Sequence, residues 1–311
     1  MASRSCFCAF LVLFLVAFEP TCKVKATDIP PPLCRRVVGS SAELIEFAVN
    51  LEYLIAEFFL CISRGEGINI IAPDLVHGGP ISIGCATANL DSVTRSIFEE
   101  FGIQTVRILR TIFQTSKLIK EIPMPQIDIR AVTLRRLVTG AFGGSLNPPF
   151  NVYGNTTNIL PSSTLIVSMA RQYYIGISPY IVGDEFQSLA SLISNTESAK
   201  FGALRTLLYL RENETVVPYN FTLGTLVARA ALSVNRLGMC GVKNEGLTLQ
   251  FEFGNATNII PFNPNVTAAS RTAREVLRIL YGTGNATLPG GLFPRGVNGR
   301  IAEKIVNLKL N

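Results

Sequence analysis

The sequence predicts an all-α fold, a four-helix bundle with a glycine- and proline-rich C-terminal extension. Three observations point that way. Apolar residues return at three- and four-residue steps over several stretches longer than twenty residues, the period of one helix face. Clusters of glycine, proline and capping residues separate those stretches. Apolar residues make up 48% of the 311 residues and charged residues 16%, enough apolar side chain for a large core.

The first predicted helix covers Ser41–Ser63, where Ile45, Ala48, Leu51, Ile55, Phe58 and Ile62 form the apolar stripe. Glu52 falls beside Ala48, Ile55 and Phe59, on the edge of that stripe. A carboxylate there needs a metal, a cation or a strong donor as partner. A loop rich in glycine and proline follows, residues 65–88. The second helix is read over Asp91–Ser116, with Asp91 as its cap. A short helix near Ile129–Gly140 and a turn at Asn147-Pro148-Pro149 lead to a third long helix, Ser162–Gly183. The fourth is read over Asp184–Asn213, with Asp184 able to cap it. A fifth helix fits Leu223–Leu237 and stops at Gly238. Beyond Cys240 the composition changes. A short strand is expected at Leu247–Phe253 and a helix at Thr272–Tyr281. This segment, 240–311, is read as an extension packed on the bundle formed by 27–239, because seventy such residues would be marginal alone.

The N-terminus reads differently. Cys6–Phe18 is an apolar run behind Arg4, too short to span a bilayer and suited to a signal-peptide core. Small residues around Ala26 suit cleavage, so residues 1–26 are expected to be a signal peptide. The apolar stretch Ile159–Val182 is interrupted by Arg171, Gln172 and two prolines, so no stable membrane span is expected after cleavage. Six Asn-x-Ser/Thr sequons, at Asn155, Asn213, Asn220, Asn255, Asn265 and Asn285, agree with secretion. Cys34, Cys61, Cys85 and Cys240 remain after cleavage, an even number that permits one or two disulfides. Their pairing is not readable, and a buried free thiol is an equal alternative for Cys61.

Net charge is +6. Arg4, Lys23 and Lys25 against Glu19 leave +2 in the first 26 residues and +4 in the rest. No basic run is interleaved with aromatics, so nucleic acid is not an expected partner. Weak contact with an acidic cell wall or matrix is compatible with the charge.

A bundle that holds two metals takes a Glu from each of two helices and Glu-x-x-His from each of the other two, because a three-residue step puts both ligands on one inward face. The second helix has its stripe at Ile97, Phe101, Thr105, Ile108 and Ile112, with Thr105 and Ile108 where such ligands would lie. The fourth has Ile193, Glu197, Lys200 and Leu204, with Lys200 three residues after Glu197. Neither pair suits a metal. The single histidine, His77, sits in the glycine–proline loop and is expected to be solvated or bonded to backbone. One histidine excludes two Glu-x-x-His pairs. No Walker loop, Rossmann fingerprint or nucleophile elbow is present. Tyr173 and Tyr174, with Arg171, could line a pocket, but core packing with one hydroxyl at the edge is the favoured reading.

Several stretches resemble the plant desiccation-related proteins, a family with a ferritin-like domain. They are Asn50–Leu60 (NLEYLIAEFFL), the loop from Ala72-Pro73 through Gly78-Gly79-Pro80 to Asp91, and EEFGIQ at Glu99–Gln104. The Pro148-Pro149-Phe150 turn and the tail Ile279–Gly299 (ILYGTGNATLPGGLFPRGVNG) match too. The resemblance implies a ferritin-like bundle and a secreted glycoprotein of dehydration or stress responses, in the cell wall or a vacuole. It also implies Glu-x-x-His where this chain has Thr105 and Ile108, and a ligand-type side chain where it has Lys200. The expectation is therefore a non-enzymatic protein with no cofactor, Lys200 standing between Glu52 and Glu197 as the cation. Contacts from Arg205 or Arg110 are a competing arrangement, and structural acids with polar neighbours are the plainer reading of Glu52 and Glu197. The alternative is an iron- or manganese-binding oxidoreductase using Glu52, Glu57 and Glu197. A hydrolase centred on His77 is a remote third reading.

Overall fold

Helix α1, Ser41–Arg64, is the axis of the molecule. Ser40 caps it and Glu43 reaches back to the Ser40 backbone, a reciprocal capping box. Gly65 closes it in the left-handed conformation, φ 79°. Every residue from Leu44 to Ser63 is buried. The helix is thus surrounded on all sides rather than amphipathic, which is how an almost uniformly apolar helix must end. Glu52 is consequently in the interior and not at a stripe edge.

The computed structural model describes residues 32–115, 117–251, 254–261 and 268–307. The expected signal peptide, residues 1–26, lies outside them, as does Asn265. A short helix α2, Ile68–Ile71, opens the glycine–proline loop. Helix α3, Ser92–Thr115, follows, with Asp91 accepting from the backbone N–H of Thr94 at 2.8 Å. Helix α4 is Ala131–Thr139, α5 Thr156–Ile177, α6 Asp184–Leu210 and α7 Leu223–Gly238. A hairpin pairs β1, Thr248–Phe251, with β2, Gly254–Thr257, antiparallel. Helices α8, Ala273–Leu280, and α9, Arg300–Asn307, complete the described chain.

Four helices form the bundle. α1 packs most extensively on α3, and α5 on α6; α1 also packs on α5 and α3 touches α6, closing the ring. Gly102 of α3 lies where a Cβ would come within 2.9 Å of the Leu60 side chain, so α1 and α3 approach closely there. Outside the ring, α4 packs on α7, α7 on α8 and α9 on α1.

Several boundaries differ from the sequence reading. α5 begins at Thr156 rather than Ser162, because Asn155 caps it through Asn158 N–H at 2.8 Å and the helix runs through Pro161. It ends at Ile177 rather than Gly183, because Pro179 disfavours helix at the residue before it. Asp184 is the first helical residue of α6 and not its cap; Gly183 holds that place at φ 96° with no side-chain bond. Its charge still favours a helix start. Gly238 lies inside α7, and the left-handed residue that ends the helix is Met239, φ 65°.

Leu33–Asn311 is one compact unit, and the C-terminal segment is built into the bundle. The disulfide Cys34–Cys240 joins the two ends of the 34–240 stretch. The Arg300 backbone N–H and guanidinium donate to the buried Glu46 carboxylate of α1, at 2.7 and 2.9 Å. The fully buried Arg271 donates to Gln172, Asn235 and Asn244 and pairs with Glu275. Among the described residues, no helix is long and apolar enough to cross a membrane.

Candidate functional site: a buried charge cluster in the bundle

The four helices bring five side chains together in the interior. α1 supplies Glu52, α3 Thr105, α5 Tyr174 and α6 both Glu197 and Lys200. The three-residue step between Glu197 and Lys200 puts both on one face of α6, as helix geometry requires. None is more than 2% exposed. Ile108, one turn beyond Thr105, is 6% exposed and contributes only an alkyl wall.

Lys200 Nζ donates to Glu197 Oε1 and to Thr105 Oγ1, each at 2.6 Å. The Thr105 hydroxyl donates to the Phe101 carbonyl at 2.7 Å, so its oxygen is free to accept from Lys200. Both oxygens of Glu52 and the second oxygen of Glu197 lack hydrogen-bond partners, as does the Tyr174 hydroxyl. Tyr174 stands close enough to Glu52 for the two to influence each other, without hydrogen-bond geometry.

The electrostatics follow from burial. Desolvation holds Glu52 well above the usual carboxylate range, the Glu197 charge pushes it further, and Lys200 pulls it back. Desolvation also raises Glu197, against the attraction and hydrogen bond of Lys200. Burial and the two neighbouring acids raise Tyr174, which stays a neutral phenol. Lys200 and Glu197 form a hydrogen-bonded pair, and burial together with the Glu197 charge pushes Glu52 toward its neutral form. That is the arrangement a dry interior favours.

These residues do not fit a pair of metal ions. A two-metal bundle centre needs inward carboxylates and imidazoles from all four helices. This interior offers two acids, a threonine hydroxyl, an isoleucine and an ammonium already hydrogen-bonded to one of the acids. A fixed cation in the same shell repels a dication.

Glu57, the third acid of the alternative ligand set, is not part of the cluster. Its carboxylate accepts from the Ile68 backbone N–H at 2.7 Å and from the Ser82 hydroxyl, tying the start of α2 to α1. Burial raises its pKa, and those two hydrogen bonds oppose the rise. It lies beside the disulfide Cys61–Cys85. Glu57, Cys61 and Cys85 are the one group of three ligand-type side chains gathered among the described residues, and its two sulfurs are bonded to each other. Cys61 is therefore bridged, not a free thiol.

The remaining candidates stand apart. Arg110 pairs with Asp74 at the surface, and Arg205 donates to the carbonyls of Glu245, Gly246 and Asn258, so neither arginine reaches Glu52 or Glu197. His77 is half-buried rather than solvated, 3.5 Å from Glu121 and edge-on to Phe113. Both Tyr173 and Tyr174 are 1% exposed, so no hydroxyl lies at an edge; Tyr173 donates to the Leu44 carbonyl. Asn155, Asn213 and Asn220 are exposed and Asn285 is half-buried. The sequence reading missed that Tyr174 faces the cluster. Its place beside Tyr173 on a helix buried on most sides gave no signal of which neighbour it faces. It also missed the Arg271 network, for which the Thr272-x-x-Glu275 capping box was the available clue.

A four-helix bundle with an inward acid on α1 and an acid three residues before an inward side chain on α6 is the frame of a ferritin-like domain. The sequence comparisons agree: the Ferritin-like domain family matches residues 40–210. The chain is 36% identical to ferritin-like catalase Nec2 of Nesocodon mauritianus over 268 residues, 85% of either chain. It is 30% identical to desiccation-related protein PCC13-62 of Craterostigma plantagineum over 310 residues, 97% of this chain and 96% of the relative. The chain belongs to the desiccation-related ferritin-like family. No solved structure gives a significant match.

Proposed function

We propose that this protein is a non-enzymatic, secreted and glycosylated member of the desiccation-related family, in which Lys200 has taken the place of the metal and the protein acts in dehydration or stress responses from the cell wall or a vacuole. One observation carries the loss of metal chemistry: Lys200 Nζ sits 2.6 Å from both Glu197 and Thr105, in the interior where ligands would converge. The relative named desiccation-related protein supports the role. The apolar N-terminal run and the exposed sequons at Asn155, Asn213 and Asn220 support secretion and glycosylation. At 16% charged residues with a large core, protection would come from a folded surface rather than from a hydrophilic disordered chain.

A second reading has its own support. A relative at 36% identity is named a catalase, and both Glu52 oxygens are without partners. Peroxide decomposition separates the two. Purified protein incubated with iron or manganese is expected to decompose hydrogen peroxide no faster than the free metal. A protein-dependent rate that disappears in Glu52→Ala would overturn the proposal.

A further inference from the structure

Five glutamates are buried among the described residues, and four of them face a cation. Glu46 pairs with Arg300, Glu197 with Lys200, and Glu275 with Arg271 and Lys243, while Glu52 feels the Lys200 charge. Glu57 is the exception. It is 0% exposed and has two hydrogen bonds, but no cation stands against it among the described residues. A buried carboxylate is costly unless a positive charge is beside it.

What Glu57 faces instead is sulfur. Cys61 lies one turn further along α1 on the same side, its Sγ 3.5 Å from Glu57 Oε1. Cys85 reaches the same spot from the glycine–proline loop, and the three ligand-type atoms lie within 4.8 Å of one another. While the bridge is closed, neither sulfur can act as a thiolate ligand. Once it is open, two thiolates and a carboxylate surround one point. Zinc takes that set, with sulfur at about 2.3 Å, carboxylate oxygen at about 2.0–2.2 Å and a fourth tetrahedral place for water. Two zinc-bound sulfurs then stand about 3.8 Å apart. Cysteines whose Cα atoms are 5.0 Å apart reach that separation by side-chain rotation.

The bridge is also within reach of a reductant. Cys61 is enclosed, but Cys85 is half-buried in a segment where Ile81, Ala86 and Thr87 are exposed. The Cys34–Cys240 bridge is differently placed: Arg278 Nη2 lies 3.2 Å from Cys240 Sγ, and a fixed cation there repels a dication.

We propose that the Cys61–Cys85 bridge is a redox-gated metal site, in which reduction by a dithiol lets Cys61, Cys85 and Glu57 bind one zinc ion. A thiolate of the dithiol attacks the Cys85 sulfur and the bond to Cys61 breaks; the second thiol of the reagent then resolves the mixed disulfide. The reagent leaves as its own disulfide, and Cys61 and Cys85 gain two electrons and two protons. Zinc displaces those protons to solvent, and its charge supplies the cation that Glu57 lacks. The site shares no residue with the Lys200 cluster and stands whether or not the bundle holds iron or manganese.

Titration of the full protein with cobalt(II) and then zinc, before and after treatment with dithiothreitol and its removal without air, tests the proposal. Cobalt reports thiolate ligation by a sulfur-to-metal charge-transfer band. The reduced protein is expected to keep its helical circular dichroism, to bind about one cobalt per chain with that band, and to lose the band as zinc replaces cobalt. The oxidised protein is expected to bind neither. Glu57→Gln, which keeps both thiols, should weaken zinc binding by at least about tenfold. Cys61→Ser/Cys85→Ser should abolish the band, and Cys34→Ser/Cys240→Ser should retain it. The proposal is overturned by the absence of a cobalt band in the reduced protein, by unchanged zinc affinity in Glu57→Gln, or by a band that follows Cys34 and Cys240 instead. A bridge that dithiothreitol cannot open in the folded protein, or loss of helix on reduction, overturns it equally.

Discussion

Lys200 is an i+3 neighbour of Glu197 on a helix face that would otherwise be apolar, and that placement decides the chemistry of the interior. Breaking a buried pair leaves a charge with no partner. Lys200→Met is therefore expected to destabilise the protein by about 3–5 kcal/mol near neutral pH. Chemical denaturation measures it, and the double variant Lys200→Met/Glu197→Gln should recover most of the loss. A near-neutral single variant would show that the ammonium does not balance Glu197. Glu52 supplies a pH signature. Its folded pKa lies well above the ordinary 4.5, so the folded state binds a proton that the unfolded state has released. That contribution is complete below about pH 4.5 and is lost as pH rises toward the raised folded value. Glu52→Gln keeps the shape and cannot ionise. The melting temperature of the variant should gain on wild type as pH rises above about 5, and parallel curves would contradict the assignment. The inward placement of Thr105, Glu197 and Lys200 was legible from helix spacing. The facing of Tyr174 was not, because a tyrosine on a buried helix carries the same pattern whether it faces leucine or an acid.

At the scale of the element, the long helices were readable and their ends less so. α1 and α3 sit within a residue or two of the sequence reading, because Ser40 with Glu43 and Asp91 with Thr94 are strong caps visible in the chain. α5 moved by six residues at either end. The start was read at Ser162, yet the Asn155 cap and the burial of Ile159 and Leu160 carry the helix through Pro161. What the pattern could not show was that α1 is enclosed on every side, since periodicity reports a preferred face and not the number of neighbours. The close approach of α1 and α3 makes its own prediction. Gly102→Val puts side-chain atoms where Leu60 already stands. It is expected to cost about 1–3 kcal/mol through overpacking, measured by denaturant unfolding. An unchanged midpoint would mean the two helices can part without loss.

Across the whole molecule, the bundle and its C-terminal extension share buried charge. Glu46 with Arg300, and Gln172 with Arg271, tie residues beyond Cys240 to α1 and α5, and the Cys34–Cys240 bridge fixes the same junction. The composition change at Cys240 marked the start of the extension, but long-range ion pairs leave no periodic trace in a sequence. The same integration bears on the central claim, because a bundle held from outside can retain its shape while its interior trades metal for an ammonium.

Elemental analysis of protein purified without chelators tests that claim most directly. With Lys200 in the interior, the account predicts iron and manganese well below one ion per chain, unchanged by Glu52→Ala. About two firmly held ions per chain, the complement of a ferritin-like centre, falling in Glu52→Ala, would contradict it.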